Sequence, residues 1–216
     1  MDFFKQVFDF IKYQSKNTLP QTQGAFRAWV DAIIPVTPEF AEKQGFVQSF
    51  GALDSHIDEY EIWSLDNYLS LNILIDEFNI DLANLTAGLM NTAAKQLIHI
   101  GGNKKPVNQE IESEAGTFAA LAPSDRFRAI NLLEQLDVDF ESLPIPFNIY
   151  PNFVFNSSVS IAILTLIGYY TEWSGYGSTR LETPEKRKLE HFPTGWAQVG
   201  YPGPVKGYHA LRGYLI

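Results

Sequence analysis

Hydrophobic residues recur along most of this chain at the spacing of one helix face. After Thr22, the residues Phe26, Trp29, Val30, Ile33 and Ile34 fall at offsets of 0, 3, 4, 7 and 8, and Pro35 follows. That spacing puts five apolar side chains on one stripe of a helix, with Thr22 as the expected N-cap and Pro35 as the stop. A second long helix is expected over 58–78, apolar at Tyr60, Trp63, Leu71, Leu74, Ile75 and Phe78. A third covers 81–99 and stops at Gly101-Gly102. A short segment at 110–121 leads to a fourth strong helix, opened by Pro123 and Ser124, whose Phe127, Ile130, Leu133 and Leu136 are expected to face inward. Pro144-Ile145-Pro146 and Pro151 punctuate the loop before the most apolar stretch, residues 159–170. Its twelve residues fall short of the roughly 20 that span a bilayer, and Asn152, Asn156, Ser157 and Ser158 precede it, so a buried core helix over about 153–173 is expected. Residues 1–11 intersperse acids among Phe3, Phe4, Val7, Phe8, Phe10 and Ile11 and predict an amphipathic helix.

No stretch alternates with period two for long enough to force a strand. The expected fold is therefore all-α, an irregular helical bundle forming one domain over 1–216, with 175–216 as an extended C-terminal coil packed on it. No internal repeat of fixed period is visible. The coil is rich in glycine, proline and aromatics, above all over 195–214. Flexible tethers carry glycine and proline without large rings, because exposed rings add nothing to a linker. The rings of Trp196, Tyr201, Tyr208 and Tyr214 are accordingly expected to be held against something, either this chain's own core or a partner subunit.

Composition narrows the functional classes. With 216 residues, 45% hydrophobic and 14% aromatic, the chain can bury a sizeable core and is not disordered. A formal charge of −9, with only 16 Lys and Arg, opposes a phosphate-backbone partner, so no nucleic-acid role is expected. The absence of cysteine excludes disulfides, thiolate metal sites and cysteine nucleophiles, without choosing a compartment. The N-terminus has no basic leader, twin arginine or cleavage site, so the chain as written is expected to be cytoplasmic, with no membrane span.

Candidate chemistry is sparse. Residues 54–61 gather Asp54, Asp58, Glu59 and Glu61 around His56, which could suggest metal ligands or general acid–base work. Carboxylates at a helix start are also what capping and the helix dipole favour, and that reading is preferred. His99 belongs at the last turn of a helix, and His191 and His209 lie in the coil. Gly175-Tyr176-Gly177-Ser178 follows a helix rather than a strand, which is the wrong context for a phosphate loop and fits a flexible connection. The interleaved charges of 180–190 are expected to be a solvated surface. No catalytic, cofactor-binding or metal-binding residue is assigned.

Three segments resemble the gluconate 2-dehydrogenase subunit 3 family. The first is Phe26-Arg27-Ala28-Trp29-Val30-Asp31-Ala32-Ile33-Ile34-Pro35-Val36-Thr37-Pro38, followed by Gly51-Ala52 and Asp54-Ser55-His56-Ile57-Asp58. The second is Leu121-Ala122-Pro123-Ser124-Asp125-Arg126-Phe127 with Leu132-Leu133, and the third Gly195-Trp196 with Gly200-Tyr201-Pro202-Gly203-Pro204. Their order spans most of residues 24–214. The resemblance implies a bacterial, non-catalytic small subunit that carries no cofactor of its own. It would support the maturation or export of a large FAD-dependent subunit of the glucose-methanol-choline oxidoreductase type, a sugar or polyol dehydrogenase. Family members commonly begin with a twin-arginine export signal, and this chain does not, which leaves a trimmed precursor or a cytoplasmic branch as the two expectations. Two readings compete with it. One is a stand-alone helical protein, structural or stress-related, whose tail folds back on its own core. The other is a small enzyme using the acids of 54–61 with a histidine.

Overall fold

The computed structural model of the chain describes residues 19–67 and 82–204. The expected N-terminal helix, residues 68–78 of the second helix, Tyr208, His209 and Tyr214 lie outside them. The described residues are helical and contain no strand, so the fold is all-α.

Helix α1, Leu19–Ile33, is the axis of the bundle. Its stripe buries Phe26, Trp29 and Val30 to 2% exposure or less, and helices α3, α4, α5, α6 and α7 pack around it. Thr22 is inside the helix rather than capping it, and its buried hydroxyl donates to Asn84 Oδ1 at 3.0 Å. Beyond Ile33 the chain turns at Pro35 and passes through α2, Glu39–Gln44, and a 3-10 turn, Phe46–Ser49. It then returns across its own path. Ala52, fully buried, donates to the Ile34 carbonyl at 2.8 Å, and a Cβ on Gly51 would collide with the backbone of residues 34–36. The Ile-Pro and Gly-Ala steps are thus two sides of one backbone crossing that only glycine permits.

Helix α3, Ile57–Asn67, and helix α4, Leu82–His99, are joined at their near ends by Ala83 N–H donating to Asp66 Oδ1 at 2.9 Å. Helix α4 buries 11 of its 18 residues and ends as expected. Gly101, at φ 66°, lets its own N–H and that of Gly102 reach the carbonyls of Ile98 and Leu97. Asn108 caps α5, Gln109–Ala115, and α6, Thr117–Ala120, follows at once. Helix α7, Pro123–Glu134, places Asp125 fully buried, where its carboxylate accepts from the N–H groups of Lys104 and Lys105. Arg126 pins α7 to α1 by donating to the Ala28 carbonyl at 2.8 Å and to Asp31 at 3.3 Å.

Helix α8, Pro151–Tyr170, lies against α3 and α7. A 3-10 segment, Trp173–Thr179, leads to a loop and to α9, Thr194–Val199, which packs on α8. The core holds Trp29, Trp173, Tyr169, Phe26, Phe118 and Phe147 as its largest members.

Three expectations need correction. On α7, Phe127 is 46% exposed while Ala129, Ile130, Leu132 and Leu133 are buried, and Leu136, 36% exposed, lies past the end of the helix at φ 55°. A ladder of three-residue steps drifts about 60° per step around a helix, so Phe127 lies about 120° from Leu133 and does not share its inner face. The coil expected after residue 175 contains α9, closed by Gly200 in the left-handed region at φ 67°. The helix containing 159–170 is not a buried core helix, because one of its faces is open.

Candidate functional site

The acids of 54–61 do not converge. Asp54 accepts from Gly51 N–H at 2.9 Å and closes a turn before α3 rather than capping it. Asp58, at the first turn, is buried beside Arg27 at 3.5 Å, and burial lifts its carboxyl above the usual range more than Arg27 lowers it. Glu59 turns the other way and accepts from Nε and Nη2 of Arg180, at 2.5 and 3.0 Å. Burial raises its pKa, but the hydrogen bond and charge of Arg180 outweigh that and hold it below the usual range. His56 adopts φ 54° and sits 3.7 Å from Glu59. Glu61 points into the seam between α3 and α8, where it is fully buried against the Thr165 hydroxyl. Four carboxylates on one short stretch therefore take four separate environments. Among the described residues no group of three or more His, Asp or Glu side chains could hold a metal ion.

The charged segment 180–190 is likewise less solvated than its composition suggests. Arg180 is committed to Glu59, and the Arg187 guanidinium lies over Trp63, 4.0 Å from the ring centroid, and 5.0 Å from that of Trp173. These contacts fasten the loop to α3 by cation–π attraction. Gly175-Tyr176-Gly177-Ser178 is an ordered turn rather than a flexible connection. Ser178 donates from its N–H and its hydroxyl to the Glu190 carboxylate at 2.8 and 2.5 Å, and holds that carboxyl below its usual range.

Of the tail rings, Trp196 is 8% exposed, and its indole N–H donates to the Tyr170 carbonyl at 2.9 Å. Phe192 and Tyr201 meet the ring edge-on at 5.9 and 5.0 Å. Gln198 donates to the carbonyls of Val47 and Phe50, and Gln48 donates back to the Gln198 carbonyl at 2.8 Å. Residues 192–201 are thus seated on this chain's own core, and Tyr201, 43% exposed, stays at the edge. Trp196 and Tyr201 share one cluster.

An open apolar face on α8 was not foreseen from the sequence. Helix α8 carries no charged residue, and its Phe155, Ile163, Leu166, Ile167 and Tyr170 are 46 to 52% exposed. At about 100° per residue these five fall within about 120° of arc. The opposite face buries Val154, Ser158, Ile161, Thr165, Gly168 and Tyr169. The inner face thus mixes Val154, Ile161 and Tyr169 with the small or polar Ser158, Thr165 and Gly168, while five large apolar side chains point out. The signal was present in the spacing of Ser158, Ile161, Thr165 and Gly168 at offsets 0, 3, 7 and 10, a close-packing stripe opposite the bulky residues. Gly168 allows the approach, since a Cβ there would collide with the Tyr60 ring. By length and composition α8 could also cross a membrane, with 33% of its apolar window buried.

Beside this face runs a groove of about 560 Å³ lined by Trp29, Ile33, Phe127, Ile130, Ala162 and Leu166, with Arg128 and Glu134 at its rim. The half-exposed Phe127 stands edge-on to Trp29 at 5.6 Å and forms one wall. The face and the groove make one continuous apolar surface shared by α1, α7 and α8. Exposed apolar area of this kind is the usual mark of an interaction site. No protein-family model, curated protein or solved structure matches this chain.

Proposed function

We propose that this chain is a non-catalytic small subunit that docks on a large FAD-dependent dehydrogenase of the glucose-methanol-choline type, through the outer face of α8 and the groove beside it. The observation that carries the proposal is the open apolar face of α8, with Phe155, Ile163, Leu166, Ile167 and Tyr170 about half-exposed. A partner that covers this face removes apolar surface from water at little polar cost, which is the general basis of stable subunit association. The resemblance of residues 26–38, 121–127 and 195–204 to the gluconate 2-dehydrogenase subunit 3 family supplies the identity of the partner. Two of those segments meet through Arg126, Ala28 and Asp31, and they contribute Trp29, Ile33 and Phe127 to the groove. On this reading the flavin subunit performs the redox chemistry, and this chain is cytoplasmic unless exported together with it.

A second reading, a stand-alone helical protein whose tail folds back on its core, is favoured by the Trp196 contacts. Co-expression with a large FAD-dependent dehydrogenase of the glucose-methanol-choline type separates them. The subunit reading predicts a stoichiometric complex whose flavin absorbance co-elutes with this chain. Elution of this chain alone, with or without flotation on phosphatidylcholine vesicles, removes the subunit reading, and flotation in that case assigns the α8 face to lipid.

A further inference from the structure

The seam between α3 and α8 contains a proton whose position follows from hydrogen-bond arithmetic. The Thr165 hydroxyl touches two oxygens, the Ile161 carbonyl at 2.9 Å and Oε1 of Glu61. A hydroxyl has one proton to give, and a backbone carbonyl only accepts. With the Thr165 proton committed to Ile161, one turn back on its own helix, the contact with Glu61 needs a proton from the Glu61 side. Glu61 is fully buried, and among the described residues its Oε2 meets no hydrogen-bond partner and no cation lies within ion-pair distance of it. An ionised carboxylate there would be a buried charge with one oxygen unpartnered, an arrangement that protein interiors avoid by neutralising the group.

We propose that Glu61 is a resident neutral carboxylic acid whose single proton closes the contact between α3 and α8, and that removing this proton loosens α8 from α3. The groups around it fit this assignment. Asp58, one turn earlier on α3, is the charged side chain that acts on Glu61, and it adds repulsion. Arg27 of α1 is turned to Asp58, while Arg180 is held by Glu59 beside His56, so neither cation serves Glu61. From α8 come Thr165 and Tyr169, whose hydroxyl donates to the Phe50 carbonyl. Burial pushes the Glu61 carboxyl well above the usual carboxylate range and Asp58 adds to it, by more than a hydrogen bond donated by Thr165 to the ionised form would lower it. The folded-state value is raised, so the unfolded chain loses this proton first as pH increases. The contribution of Glu61 is fully present below the ordinary glutamate range and fades as pH climbs towards the raised value, by about tenfold in the folding constant per pH unit. The inference concerns the inner face of α8 and does not depend on what covers the outer one.

The test uses the full chain and the Glu61→Gln variant, which keeps the shape and can still donate to Thr165. At pH 7 an infrared band of a neutral carboxylic carbonyl is expected in the wild type and absent from the variant. The urea midpoint of the wild type is expected to fall with rising pH, and that of the variant to fall less. An Asp58→Asn control, which retains Glu61, is expected to keep the band. Absence of a band that Glu61→Gln removes, or identical pH profiles for wild type and variant, overturns the proposal.

Discussion

Replacing Trp196 by alanine tests how far the C-terminal segment belongs to the core. The ring is 8% exposed, its N–H is bonded to the end of α8, and Phe192 and Tyr201 lean on its edges. Burial of a large aromatic removes about 150–250 Å² from water. At about 25 cal/mol per Å² that gives an upper bound of about 4–6 kcal/mol, because the unfolded chain is partly collapsed. Truncations of buried aromatics cost about 3–5 kcal/mol, and the lost hydrogen bond adds little, since the Tyr170 carbonyl becomes open to water. The expected loss is therefore about 3–5 kcal/mol, or a melting temperature lower by about 6–20 °C for a chain of this length. Urea unfolding followed by circular dichroism measures it as a lower midpoint at unchanged slope. Tyr201→Ala, at a ring 43% exposed, should cost about 1 kcal/mol or less. A loss below about 1 kcal/mol for Trp196→Ala refutes the assignment of residues 192–201 to the core.

Two further substitutions probe the ties between elements. Arg180→Gln removes the grip on Glu59 and should cost about 1–2 kcal/mol at pH 7. The folded-state pKa of Glu59 is depressed, so this contribution is present above the ordinary glutamate range and lost as pH falls through the depressed value. The variant and the wild type should therefore converge in stability in acid, and a gap that persists there contradicts the ion pair as its source. Gly168→Ala puts a methyl group into the Tyr60 ring and should destabilise by about 1–3 kcal/mol through overpacking, despite alanine's better helix propensity. A stabilised protein would show that α3 and α8 are not in close contact there.

The helices were legible in the sequence where burial follows one regular stripe. Phe26, Trp29 and Val30 obey the 3.6-residue period because α1 has neighbours on several sides, and Gly101-Gly102 marks the end of α4 because a left-handed residue is required there. Period alone failed at Phe127, whose three-residue ladder mimics a stripe over one turn and then drifts out of it. It failed more instructively on α8. Hydrophobicity measures distaste for water, but which face turns inward here is decided by close approach to Tyr60 and by the Thr165 contact with Glu61. Those partners lie about a hundred positions away, beyond any local window. The acids of 54–61 were visible as a cluster, yet their separation into turn, buried, paired and neutral roles depends on Arg27, Arg180 and Thr165, which only the fold supplies. The helical form of residues 194–199 was hidden by Gly195 and by proline on both sides, although Gly200 in the left-handed region is an ordinary helix stop.

The most direct measurement is the affinity of this chain for a large flavoprotein subunit of the glucose-methanol-choline type before and after Ile163→Ser, Leu166→Ser and Ile167→Ser are made together. The three side chains are 50 to 52% exposed, so the variant should fold and should bury no new polar group. If they form the centre of the docking face, their loss should cost at least about 2 kcal/mol of binding, a weakening of about 30-fold or more by titration calorimetry. Wild-type affinity in the triple variant, or no binding by the wild-type chain itself, contradicts the account.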